Sequence, residues 1–148
     1  LVEVAVDKTR ILPFGRNDKD HNKFDFLGFT FYEAKTRKGR YRVGIKTSEK
    51  KLKIKRQEMR RWIWSRLQFD VEQTMKCLNR KLTGHCNYYG ISGNYRKVNA
   101  FYYYAKLRMH SMLNRRSQRK SVTWETMVEM WAQYITPPRI KVNIWQTM

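Results

Sequence analysis

The side chains able to bind a metal are His21, Cys77, His85, Cys86 and His110, and none falls into CxxC or HxxxH spacing. His85 and Cys86, as helix neighbours, face different sides, so a buried thiol and ordinary surface histidines are expected. No serine sits in a GxSxG elbow, and no acid is placed to orient a histidine. Metal-assisted nucleotide chemistry needs clustered carboxylates to hold two Mg²⁺ ions. The twelve acids are scattered singly, with no adjacent Asp-Asp pair. No catalytic centre and no cofactor are therefore expected in this chain. What remains is Lys and Arg, which neutralise phosphates, interleaved with Tyr and Trp, which stack on unpaired bases.

The cations concentrate where acids are missing. Gln73 to Trp124 holds no Asp or Glu, yet carries Lys76, Arg80, Lys81, Arg96, Lys97, Lys106, Arg108, Arg115, Arg116, Arg119 and Lys120. Its apolar residues keep helical spacing: Met75, Leu78, Leu82, Cys86 and Tyr89, then Val98, Phe101, Ala105, Met109 and Met112. Such a segment folds on its oily stripe while its charge repels itself. A polyanion relieves that repulsion, so nucleic acid is the first partner to consider. Over the whole 148 residues, Lys+Arg 32 against Asp+Glu 12 gives +20, far beyond what solubility needs. It predicts salt-sensitive association with phosphates.

The length suits one domain, or one core with a smaller appended piece. Hydrophobic residues at 41% and aromatics at 14% suffice for a core. No apolar run approaches transmembrane length, and the start carries no signal-peptide segment. Cys77 and Cys86, nine apart on one predicted helix, lie roughly 13 Å from each other, too far for a disulfide. They read as reduced core thiols in a reducing compartment.

The elements that position these groups follow in order. Leu1–Val6 reads as a strand continued through Asp7–Leu12 and ended by Pro13 and Gly15, with a polar loop from Asn17 to Lys23. In Phe24–Phe31 (FDFLGFTF) the alternation shifts register at Leu27-Gly28, which suggests a bulge or a close backbone approach. At least two of Phe26, Phe29 and Phe31 are expected in the core. A basic turn, Lys35–Arg40, then leads to the alternating Tyr41, Val43 and Ile45, forming a β-hairpin with a cationic tip.

Ser48 followed by Glu49 starts a first helix, with Leu52, Met59, Trp62 and Ile63 as its apolar stripe. Its remaining surface holds Lys50, Lys51, Lys53, Lys55, Arg56, Arg60 and Arg61. The eight Lys/Arg and two Glu of Ser48–Leu67 favour tracking a duplex groove over a merely solvated face. Asp70 is the natural N-cap of a second helix running toward Tyr89, strained at Gly84. Gly90, Ser92, Gly93 and Asn94 turn the chain into a third, Tyr95 to Arg116, which should bury two of Tyr102, Tyr103 and Tyr104. After a basic linker, Ser117–Lys120, a fourth helix (Trp124, Met127, Val128, Trp131, Ile135) opens near Ser121 or Thr123 and ends at Pro137-Pro138. Arg139–Met148 is an extended tail or edge strand. The fold class is α+β, a hairpin followed by a basic bundle of three helices plus a C-terminal one.

FDFLGFTF, then a basic hairpin, then Leu78-x3-Leu82-x-Gly84-x2-Asn87-Tyr88-Tyr89, resembles the C-terminal part of a group II intron reverse transcriptase/maturase. The resemblance covers almost the whole chain, and the two motifs in this order and separation are quite specific. It implies the end of a palm with its primer-grip hairpin at 1–47, the thumb or maturase-specific domain at 48–117, and a C-terminal helix and tail at 118–148. Asp7–Ile11 resembles the last palm strand, making Lys8 the candidate for a lysine that assists the leaving pyrophosphate. Phe26, Leu27, Gly28 and Phe29 resemble the primer grip, which holds the primer's 3′ end. Leu78, Leu82, Gly84, Asn87, Tyr88 and Tyr89 read as scaffold; the family has Trp where this chain has His85.

By the same resemblance the partners are group II intron RNA, stabilised in its splicing-competent form, and an RNA/DNA template–primer duplex. The cations expected to meet them are Lys50, Lys53, Lys55, Arg56, Arg60, Arg61, Arg96, Lys97, Lys106, Arg108, Arg115 and Arg116. The Tyr-x-Asp-Asp carboxylates of the palm, with their Mg²⁺, and any Cys-rich or HNH endonuclease extension are absent, so the chain reads as a fragment that is inactive alone in RNA-directed DNA polymerisation. Its setting would be bacterial cytoplasm or an organelle, with no membrane partner and no oligomeric state implied. The alternatives are a stand-alone basic nucleic-acid-binding module and a ribosome-associated structural protein.

Overall fold

The structure is a computed structural model that describes residues 23–116 and 121–143. The readings for Leu1–Leu12, including Lys8, for the loop before Lys23, for Ser117–Lys120 and for the tail beyond Asn143 lie outside the described residues. The class is α+β. Strands β1 (Lys23–Phe26), β2 (Phe29–Lys35) and β3 (Tyr41–Thr47) form an antiparallel sheet in the order β1-β2-β3. Helices α1 (Glu49–Ser65), α2 (Val71–Tyr89), α3 (Tyr95–Arg116) and α4 (Trp124–Tyr134) follow.

The FDFLGFTF stretch is not one bulged strand. Leu27 (φ 53) and Gly28 (φ 85) both lie in the left-handed region, so they reverse the chain in a two-residue turn and Phe26 pairs with Phe29. The register shift in the sequence was the trace of a hairpin, and the signal was hidden because a leucine fills the first turn position, where Asn or Asp is usual. Phe29 is buried and Phe31 packs against the core, whereas Phe26 stays 58% exposed. The β2–β3 hairpin follows the expected register, with Phe31 opposite Ile45, and its basic tip is exposed.

The helix caps explain where each helix starts. The Ser48 hydroxyl accepts from the Lys51 amide, the Asp70 carboxylate from Gln73 and the Thr123 hydroxyl from Thr126, each satisfying an orphan donor of the first turn. All ten apolar stripe residues from Met75 to Met112 are buried, and with Leu52, Met59, Ile63, Met127, Ile135 and Phe29 they form one cluster shared by sheet and helices. α2 runs unbroken through Gly84, and a Cβ there would meet nothing within 4 Å. The expected strain at Gly84 is thus replaced by open space. α4 stops at Tyr134, short of Pro137.

Two joints lock the layers together. Asn94 is fully buried; its side chain accepts from the Thr47 amide at 2.7 Å and donates to the Thr47 hydroxyl and the Tyr89 carbonyl at 2.8 Å each. Beyond Pro138 the tail crosses the end of α2, where Lys141 and Val142 amides reach the Gly90 carbonyl and Ser92 donates to Val142. Gly90 is required there: a Cβ would collide with the Cys86 carbonyl and press on that of Arg139. Cys86 donates its thiol to the same Arg139 carbonyl at 3.0 Å; both cysteines are free, but only Cys86 is the core thiol expected, Cys77 being half-buried.

Candidate nucleic-acid interface

α1 carries cations on every side except its core stripe of Leu52, Met59 and Ile63. At 100° per residue, Lys51, Lys55, Glu58 and Trp62 share one flank, while Glu49, Lys53, Arg56 and Arg60 share the other. Lys50 and Arg61 are exposed between them. The first flank faces α2, where Lys81, Gly84 and Tyr88 recur at the spacing of a single helix edge. Between the two edges lies a cleft of about 610 Å³, lined at one end by Leu27 and Gly28 of the β1–β2 turn. A shallower depression of about 260 Å³ lies across the turn, lined by Phe26, Lys50 and Lys51 among others.

The turn is held firmly at the cleft's mouth. The Ser48 amide donates to the Gly28 carbonyl at 2.9 Å, and the Tyr88 hydroxyl donates to the Leu27 carbonyl at 2.7 Å. Tyr88 also stacks on Phe29, with centroids 5.5 Å apart. Gly28 is fixed by its positive φ and by Tyr89, whose hydroxyl would stand 3.0 Å from an added Cβ. Phe26 and Leu27 are left exposed at the lip, at 58% and 68%.

The cleft deepens from cationic to aromatic. Lys81 at the exposed rim sits 5.0 Å over the Trp62 ring. Lys55 pairs with Glu58 at 3.6 Å, a contact of two partly exposed groups and so worth little. Behind them lie Met59, His85, Tyr89 and Phe101, all buried. His85 is not the surface histidine expected: it stacks on Phe101 (4.0 Å) and on Tyr89 (4.6 Å), and its Nε2 has no hydrogen-bond partner among the described residues. Burial, and then the nearby Lys55 ammonium, pushes its pKa down to about 4, so the ring is neutral near pH 7.

The other predicted cations are divided among different faces. Arg56 of α1 and Arg108 of α3 sandwich Tyr104, at 5.6 and 5.3 Å from its ring. Lys97 pairs with Glu49 at 2.5 Å across the same seam. Lys106 lies over Trp124 and Trp131, binding α4 to α3. Arg116 donates to the Phe69 carbonyl between α1 and α2 at 2.6 Å, and Lys53, Arg60, Arg96 and Arg115 are exposed. Of the scaffold residues, Leu78, Leu82 and Tyr89 are buried, Asn87 is exposed, and Gly84 and Tyr88 line the cleft.

Only one of the three consecutive tyrosines is fully buried, not two. Tyr102 donates to the Leu82 carbonyl at 2.8 Å, Tyr104 is half-buried and Tyr103 is 54% exposed. Lys51, Trp62, Lys81 and His85 line the cleft yet were not singled out from the sequence as partners for RNA. Helical phase would have grouped Lys51 with Lys55 and Trp62; only the packing of α2 reveals Lys81 and His85 opposite.

Among the described residues no group of three or more His, Cys, Asp or Glu could hold a metal ion, and no helix is long and apolar enough to cross a membrane. No family model, curated protein or solved structure matches the chain.

Proposed function

We propose that this chain is the primer-grip and thumb/maturase region of a group II intron reverse transcriptase, binding intron RNA and template–primer duplex through backbone phosphates. The carrying observation is the β1–β2 turn, pinned to Ser48 and Tyr88, at the mouth of a cleft whose rim holds Lys51, Lys55 and Lys81. The order of motifs supports the family reading: FLGF forms this turn, and Gly84 and Tyr88 stand across the cleft from α1. The +20 charge supports a polyanion as partner. Polymerisation would reside in residues other than those described, and any compartment, cytoplasmic or organellar, is part of the same proposal.

The test is a salt titration of binding to the flanking intron RNA, to an unrelated structured RNA of equal length and to an RNA/DNA duplex. Affinity should fall steeply with salt for all three, with the intron RNA bound tightest. Replacing Lys51, Lys55 and Lys81 together by Ala should lower the slope of log K against log salt by about 2. Equal affinity for both RNAs would favour the stand-alone module, and an unchanged slope would remove the cleft from the footprint.

A further inference from the structure

We infer that the cleft between α1 and α2 receives a single unpaired nucleotide of the bound RNA, its base inserted beside Trp62, His85 and Tyr88 and its phosphate on Lys51 and Lys81. The inference rests on the nucleic-acid reading above and names the part of the ligand that this site takes. About 610 Å³ lies within the roughly 300–1,000 Å³ of ligand-sized clefts. A phosphate alone would satisfy the rim but make no use of the aromatic wall formed by Trp62, Tyr88 and the edge of His85. A base offers that wall a flat apolar face and also presents polar edges.

The polar edges matter because His85 is 9% exposed and its Nε2 has no hydrogen-bond partner among the described residues. A buried polar atom without a partner costs free energy unless a bound group or water completes it. Neutral imidazole can donate or accept at that nitrogen according to tautomer, so it suits either kind of base edge. Gly84 completes the geometry: lacking a Cβ, it leaves the α2 wall open where nothing else fills the space. Glu58 is the carboxylate on the lining, and Lys55 pairs with it, which leaves Lys51 and Lys81 to meet a phosphate.

The experiment compares affinities of the full chain for a fully paired RNA duplex and for the same duplex with one bulged nucleotide. The bulged duplex should bind about tenfold tighter, the order expected from one stacked base. Gly84→Leu, which fills the cleft without removing any side chain, should bring that ratio to about one. His85→Phe, which keeps the ring and loses Nε2, should reduce it about threefold.

With 5-iodouridine at the bulge, crosslinks should map to the peptides of α1 and α2 carrying Trp62 and Tyr88. A wild-type ratio near one, a ratio unmoved by both variants, or crosslinks on other peptides would overturn the inference while leaving RNA binding intact. Binding of neither RNA would sink the functional reading itself. Adenosine monophosphate displacing the crosslink as readily as the bulged RNA would assign the cleft to free nucleotides and overturn the strand-bound form.

Discussion

Tyr89 and Phe101 stack on the His85 ring so closely that its protonation becomes a folding matter. In the unfolded chain the imidazole takes a proton at its ordinary 6.5, whereas in the fold it does so only at about 4. Between those values the unfolded state binds more protons, so stability is full above 6.5 and is lost as pH falls toward 4. The loss from this group is about 3 kcal/mol at most. Urea midpoints from pH 7 to pH 4 should drop more for the native chain than for His85→Phe. Parallel curves for the two proteins would mean that the ring escapes its aromatic stack when charged. A histidine beside a cysteine in sequence gave no hint of this burial. The stripe was assigned to Cys86 and residue type argued for a surface histidine, whereas the ring is covered by Tyr89 one turn along α2 and by Phe101 of α3.

At the scale of elements, Asn94 is the hinge pin between sheet and helices. It closes the turn after α2, precedes α3 and holds both the amide and the hydroxyl of Thr47 at the end of β3. Asn94→Ala would strand the buried Thr47 amide, while the Tyr89 carbonyl keeps its bond from the Ile91 amide, and should cost about 1–3 kcal/mol in urea unfolding. Exchange of the Thr47 amide should accelerate in parallel; a loss under about 0.5 kcal/mol would show that water replaces the side chain without penalty.

The helices themselves were legible in the sequence. Ser48, Asp70 and the apolar stripes mark starts and faces through local hydrogen bonding and a 3.6-residue period, which need no tertiary information. The hairpin turn was half legible, since the alternation broke at the right place but Leu27 lacks the usual turn chemistry. The cleft was not legible, because it is made by α1 and α2 packing side by side on α3, which supplies Phe101 to its lining. Neither helix alone says which of its two cationic flanks will find Lys81 and His85 opposite.

For the whole molecule the dominant quantity is unneutralised charge. The ion pairs Lys55–Glu58, Lys76–Glu72 and Lys97–Glu49 involve mainly exposed groups. Many cations instead rest on aromatic rings, as do Arg56, Arg66, Lys81, Lys106 and Arg108. A ring attracts a cation without cancelling its charge, so the repulsion persists at long range. Added sodium chloride should therefore stabilise the free protein, raising Tm by roughly 3–6 °C, or about 1 kcal/mol, before nonspecific salt effects set in. A Tm that falls with salt would mean that local ion pairs outweigh the global repulsion. The same salt should weaken RNA binding, so stability and affinity are expected to move in opposite directions along one titration.

The two bonds that tie Leu27 and Gly28 to Tyr88 and Ser48 have a mechanical consequence. They rivet the tip of the small sheet to the first turn of α1 and the last turn of α2, so whatever rests on Phe26 and Leu27 travels with those helices. Any tilt of the two helices together would tilt the lip with them. On the proposed function, a strand end resting there would be moved by the same helices that hold the duplex, without any separate moving part.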